Sequence, residues 1–171
     1  MELTRKDRLI LWNQYSILEI LQPDDAAHYK KLKTILENGY SLHYGDLWPH
    51  IDETEFSEEA AREVIAILGM FEALQDSLAN TGTVEGIEDW MTQFAGFDGN
   101  NECEQLGYLR FLVDQQERFQ HVVTRRDYNS HAPLLGRYRE MLARYQELGS
   151  PRLLGGDQIR YVASVWQRNG G

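Results

Sequence analysis

A single cysteine, Cys103, stands among 171 residues, so an internal disulfide is excluded. A reducing compartment is the simplest setting for such a chain. No apolar run approaches the ~20 residues that cross a bilayer; the stretch Leu9–Trp12 is broken at once by Asn13 and Gln14. The N-terminal residues MELTRKDR have no long apolar stretch behind them and no small-residue cleavage site, so no secretory signal is expected. The expected location is the cytoplasm, with no membrane contact. Basic charge is also short: 17 Lys and Arg against 27 Asp and Glu leave a net charge of −10. Phosphate attraction needs a basic surface, so this balance argues against a nonspecific nucleic-acid binder.

The charge is unevenly spread. Residues 51–104 carry 14 acidic side chains and one basic one, Arg62, whereas residues 105–171 carry ten arginines, no lysine and six acids. Two readings follow. The first is an acidic solvated face with ordinary Arg–carboxylate pairing inside the fold, where exposed pairs add only about 0–1 kcal/mol each. The second is a meeting of acidic and basic surfaces between subunits or with a partner, which sets orientation and on-rate.

Apolar residues recur at helical spacing and strand-like alternation is scarce. Thr4 and Asp7 form a capping-box pattern before a first helix that runs to about Leu21. Its apolar residues lie nearly all round, the pattern of a central helix. Pro23-Asp24 opens a second helix, which Asn38-Gly39 ends. Residues 40–56 are irregular because Gly45 and Pro49 interrupt them. Ser57 caps a third helix carrying Val64, Leu68, Phe71, Leu74 and Leu78. Shorter helices are expected over about 83–94 and about 101–119, separated by the loop FAGFDGNNE. After the loop Arg125–Pro133, Leu134, Tyr138, Met141, Leu142 and Tyr145 mark a penultimate helix; a last helix spans about 157–168. The expected fold is all-α: one domain over 1–171, a bundle of about six to seven helices. Residues 149–156 (GSPRLLGG) are the candidate hinge before the C-terminal helix.

Catalytic and metal motifs are missing from this pattern. The sequence has no HExxH, no paired CxxC, no phosphate-cradling GxxxxGK[ST], no GxGxxG and no GxSxG. Asp98, Asn100 and Glu102 have the first spacings of a calcium loop, but Cys103 and Leu109 occupy the places that need Gly and Glu. His43, Asp46 and His50 converge on a metal only if their segment curls, and a surface role is the simpler reading. Asp98 and Asn100 are better read as caps of the following helix. Cys103 has no neighbouring base in sequence and is read as a buried or idle thiol. No catalytic residue, metal or cofactor is assigned.

Several polar residues inside or beside apolar runs form a candidate ligand or structural site: Asn13, Gln14, Asp98, Glu102, Arg110 and His131. Asn13 and Gln14 sit on the helix expected to be central. Buried amides there need hydrogen bonds, or cost roughly 1–3 kcal/mol. Arg110, embedded in YLRFLV, calls for a carboxylate partner, with Asp114 one turn on and Asp98 or Glu102 nearby. His131 lies in NSHAP, where Asn129 or Ser130 is placed to cap the next helix. No nucleophile or second base stands beside it.

The segments RLILWNQY, ENGY, FAGFDGNNE, GYLRFLV and NSHAPLLGRYREML, in this order from about Arg8 to Met141, resemble the YfbU family. This is a group of small bacterial proteins of uncharacterised function. The resemblance implies an all-α, cytosolic, oligomeric bacterial protein and carries over no activity, cofactor or catalytic residue. The functional expectation is a helical protein acting by self-assembly or by binding a partner protein. It rests on the charge asymmetry and on 4 Trp, 9 Tyr and 6 Phe, residue types enriched at interface hot spots. The alternatives are a small-ligand binder or enzyme with a site near the GFDGNNE and NSH loops, and a nucleic-acid-associated regulator using the Arg-rich final third.

Overall fold

The computed structural model describes residues 2–48, 51 and 54–169. The fold is all-α. The chain divides into two compact units, Met1–Glu55 and Phe56–Gly171.

The first unit is a helical hairpin. Helix α1 (Arg5–Leu21) starts as its sequence predicts: the Thr4 hydroxyl accepts from Asp7 N–H, and the Asp7 carboxylate accepts from Thr4 N–H at 3.0 Å. After the turn Pro23–Asp25, helix α2 (Ala26–Asn38) ends on Gly39, whose φ of +66° is the left-handed stop expected there. Arg8 on α1 donates to the Leu36 carbonyl in the last turn of α2, at 3.0 Å, and so satisfies one of its free acceptors. Trp12 donates to Glu37 at 2.8 Å and Lys33 pairs with Glu19 at 2.5 Å. A 3-10 turn, Ser41–Leu47, brings Tyr44 and Leu47 under the hairpin, and the Tyr15 hydroxyl donates to the Leu47 carbonyl. The core is small: Tyr15, Leu32, Ile35, Leu36, Tyr44 and Leu47.

Helix α1 is therefore not the central helix its composition suggests. Only Tyr15 of its residues is buried. One face packs on α2, while Leu9, Ile10, Ile17, Ile20 and Leu21 are exposed. An all-round apolar helix has two ways to hide its second face, inside its own fold or against another molecule, and periodicity does not distinguish them.

In the second unit the central position belongs to α3 (Glu58–Thr81), capped by Ser57. Val64, Ile67, Leu68, Met70, Phe71 and Leu74 on it are fully enclosed. Against α3 pack α4 (Cys103–Arg110), α5 (Leu135–Glu147) and α6 (Gly156–Ala163). The helix expected over 83–94 is only a 3-10 turn, Asp89–Thr92; Gly86, at φ +78°, and extended residues on either side break the pattern. The helix expected to reach Phe119 stops early. Beyond Arg110 the chain widens into a π-type segment, Phe111–Gln115, and Glu117 and Phe119 then take positive φ values of 55° and 58°. Residues 149–156 are tied by several hydrogen bonds to the segments around them. Tyr145 donates to the Pro151 carbonyl at 2.9 Å, and the buried Leu154 N–H donates to Ser77 Oγ at 2.8 Å.

Candidate functional site

Within the second unit the loops FAGFDGNNE and RRDYNSHAP lie side by side. Phe97 N–H donates to the Tyr128 carbonyl and Ser130 N–H to the Phe97 carbonyl, both at 3.1 Å, forming an isolated parallel bridge. Gly96 makes this approach feasible. Its φ is +101°, and a Cβ there would lie 2.2 Å from the Tyr128 carbonyl oxygen.

Asp98 and Glu102 are buried, with 2% and 5% of their surface exposed. A buried carboxylate is costly unless its oxygens are bonded, and these are. Glu102 Oε2 accepts from Asp98 N–H at 2.8 Å, and Oε1 accepts from Leu135 N–H at 2.6 Å, at the start of α5. Asp98 Oδ2 accepts from Asn101, both from its N–H and from its side-chain amide. Asp98 thus ties the turn that leads into α4, but the expectation that Asp98 and Asn100 cap that helix is corrected: its N-cap is Glu102, which makes no side-chain cap bond. Asn129 Oδ1 accepts from Gly99 N–H at 3.1 Å and from His131 N–H at 2.9 Å. The expectation that Asn129 or Ser130 caps α5 is corrected, because the N–H of Leu135 is taken by Glu102, 33 residues earlier.

Beneath the loops is an aromatic cluster. Tyr138 is fully buried; its hydroxyl donates to the Gly96 carbonyl at 3.1 Å and accepts from Ala95 N–H at 3.2 Å. Its ring meets Phe71 edge-on at 5.1 Å and lies 5.3 Å from Phe94. Burial pushes the Tyr138 phenol well above its ordinary pKa.

The remaining site candidates are dispersed. Arg110 is exposed and donates to the Asp127 carbonyl at 3.4 Å. The ion pair expected with Asp114, Asp98 or Glu102 does not form, since Asp114 accepts from Tyr128 OH and the other two carboxylates serve backbone donors. An exposed guanidinium is hydrated and needs no buried counter-charge. His131 is exposed, with Nε2 3.3 Å from Asp127. The Asn129 N–H, with His131 adding to it, holds the Asp127 carboxyl below the usual carboxylate range. Asn13 and Gln14 belong to the other compact unit, Met1–Glu55, and both are exposed. They are not buried bridging amides; they sit in the midst of the bare apolar face of α1. Cys103 is exposed too.

His43 lies 3.7 Å from Asp46, and Lys31 is equally near that carboxylate; His50 falls outside the described residues. Among the described residues no three His, Cys, Asp or Glu side chains converge as a metal site, and no helix is long and apolar enough to cross a membrane. Much of the arginine-rich final third bonds to its own unit. Arg139 forks onto Glu63 at 2.7 and 2.8 Å, Arg160 pairs with Asp157, and Arg144 reaches the Tyr161 carbonyl and the Ser164 hydroxyl.

Three residues have roles beyond their sequence pattern. Asn129 and Tyr138 act through bonds to segments about 30 and 42 positions away, which local spacing does not reveal. The third, Ile17, was visible as apolar but not as exposed.

The geometry defines a helical protein whose buried polar cluster is spent on its own backbone, and which leaves an apolar helix face bare. The YfbU domain model matches residues 1–164, and the chain belongs to the YfbU family.

Proposed function

We propose that the protein is a cytoplasmic protein that works by self-assembly, with the outer face of α1 as the assembly surface. One observation carries this reading: Leu9, Ile10, Ile17, Ile20 and Leu21 are between 48% and 80% exposed along a single helix. At 100° per residue they share one side of α1, opposite the side that Tyr15 turns to α2. Contiguous apolar patches of this kind mark interaction surfaces. The family resemblance points the same way, toward an oligomer.

The test is sedimentation of the full chain at tens of micromolar concentration. Wild-type protein is expected to form a dimer or larger species. Ile17→Asp places a charge in the centre of the face and is expected to weaken association at least about thirtyfold, the scale of an interface hot spot. Its helical circular dichroism is expected to stay unchanged. A monomeric wild type, or an Ile17→Asp variant that assembles as tightly, overturns the reading.

A further inference from the structure

Helix α1 has a second side, which meets the outer face only at Leu9. Residues three and four apart are neighbours on a helix, so Arg5, Arg8, Leu9 and Trp12 form one row. Leu36 and Glu37, from the last turn of α2, stand beside it, and the six side chains line an open cavity of about 330 Å³ within the first unit. Its apolar part is Leu9, the half-buried Trp12 and the buried Leu36. Its charged part is out of place for a helix. Cations are disfavoured at a helix start, where free N–H groups leave positive charge, yet α1 opens with Arg5, Lys6 and Arg8. Arg8 is held in position: Nη1 donates to the Leu36 carbonyl at 3.0 Å, and Gly39 leaves room for it, since a Cβ there would lie 2.8 Å from that nitrogen. A guanidinium has five N–H donors. The Nε of Arg8 is enclosed without a hydrogen-bond partner, and its Nη2 makes no bond among the described residues. Arg5 is exposed and has neither an ion pair nor a hydrogen bond among the described residues. The nearest acids are engaged, Asp7 with the Thr4 cap and Glu37 with the Trp12 indole N–H at 2.8 Å. Two guanidiniums and one carboxylate leave the cavity lining with one net positive charge.

We infer that this cavity binds a small monocarboxylate with an apolar chain, of the size of a medium-chain fatty acid. The site is independent of self-assembly. The carboxylate sits at the arginine end, where the N–H fork of a guanidinium matches its two oxygens. The chain lies against Leu9, Trp12 and Leu36 and is removed from water there. Arg5 and Trp12 are about 10 Å apart along α1, at 1.5 Å per residue, which suits an extended acid of about eight carbons. A single net positive charge matches one negative charge. A phosphate monoester brings two, and Glu37 at the rim opposes the second. The cavity is at the small end of the range for ligand sites, roughly 300–1,000 Å³.

The test is calorimetric titration of the full chain with sodium octanoate. Saturable one-to-one binding with a Kd of about 1 mM or tighter is expected. Hexanoate, two methylenes shorter, is expected to bind at least about fivefold more weakly, because each buried methylene contributes. Inorganic phosphate, a charge without a chain, is expected to bind at least about tenfold more weakly. Arg5→Gln removes one guanidinium that bonds to nothing else in the described chain, and is expected to weaken octanoate binding at least about fivefold. Arg8→Gln is expected to weaken it at least as much; because Arg8 also serves the end of α2, Arg5→Gln decides if that variant loses helical circular dichroism. Ile17→Asp, on the outer face, is expected to leave octanoate binding unchanged. No saturable octanoate binding up to about 10 mM overturns the site. So does phosphate or hexanoate binding as tightly as octanoate, and so does an Arg5→Gln protein of unchanged affinity. Loss of binding in Ile17→Asp overturns it too, by placing the chain on the outer face. A wild type that sediments as a monomer but binds octanoate with these dependences defeats self-assembly and leaves the site standing.

Discussion

The two compact units treat their apolar residues differently. In Phe56–Gly171, α3 contributes seven residues to a buried cluster of twenty-five among the described residues, and the other eighteen pack around it. In Met1–Glu55 six of the described residues form the buried cluster, and helix α1 leaves five large aliphatic side chains in solvent. The second unit buries most of its apolar surface, though Phe111 and Leu153 remain exposed, whereas the first concentrates its surplus on one helix. Burial contributes in proportion to the area removed from water, so the surplus is stabilising only if something covers it. The same residue type should therefore have a large mutational effect in one unit and a small one in the other.

The largest effect is expected in the second unit. Tyr138→Ala removes a fully buried ring and the hydroxyl that bridges Ala95 and Gly96. Thermal or denaturant unfolding should show a loss of about 3–5 kcal/mol. A loss below about 1 kcal/mol would mean that the aromatic cluster is not what holds the two loops on α3. Next comes Glu102→Gln. An amide offers one acceptor oxygen where the carboxylate serves two N–H donors, Asp98 and Leu135. One buried donor is left unpaired, and unfolding should report about 1–3 kcal/mol.

The direct comparison is a pair of aliphatic truncations. Leu109→Ala, at a fully buried site in α4, should cost about 2–5 kcal/mol. Ile17→Ala, on the open face of α1, should change the stability of the monomer by no more than about 0.5 kcal/mol, measured at concentrations too dilute for assembly. Equal losses at the two sites would erase the distinction between the units.

The smallest effect concerns the start of α1. Hydrogen bonds from the Thr4 hydroxyl and N–H hold the Asp7 carboxyl below its ordinary pKa. A group with a lowered folded pKa adds stability above its unfolded value, near about 4, and loses it as pH falls through the folded value. Helicity of the wild type should therefore drop slightly more than that of Asp7→Asn below about pH 4. Circular dichroism of the two chains reads this difference.

Helix starts and stops were legible wherever a local cap decides them. Thr4 with Asp7, Ser57 and Gly39 all act where the residue patterns put them. The start of α5 was not legible, because its first donor is satisfied from another loop. The segment after Arg110 departs from its sequence pattern for a similar reason. Apolar residues such as Leu112 and Val113 continue the helical pattern and are buried, but the backbone around them has left α geometry. Of the candidate polar residues, Asp98 and Glu102 stand out in sequence by their calcium-loop-like spacing, but their burial does not show there. Asn13 and Gln14 were noticed for interrupting an apolar run, yet the side of the helix they occupy is decided by which face α2 covers.

By itself, the order of residues determined the helical class, the main breaks and the absence of a disulfide, because capping, periodicity and cysteine number act over a few positions or none. Tertiary structure alone decided that α3 rather than α1 is enclosed, that Glu102 caps α5, and that one side of α1 remains open. Each of these depends on segments far apart in the chain competing for the same donors and the same apolar surface, and such competition has no local signature.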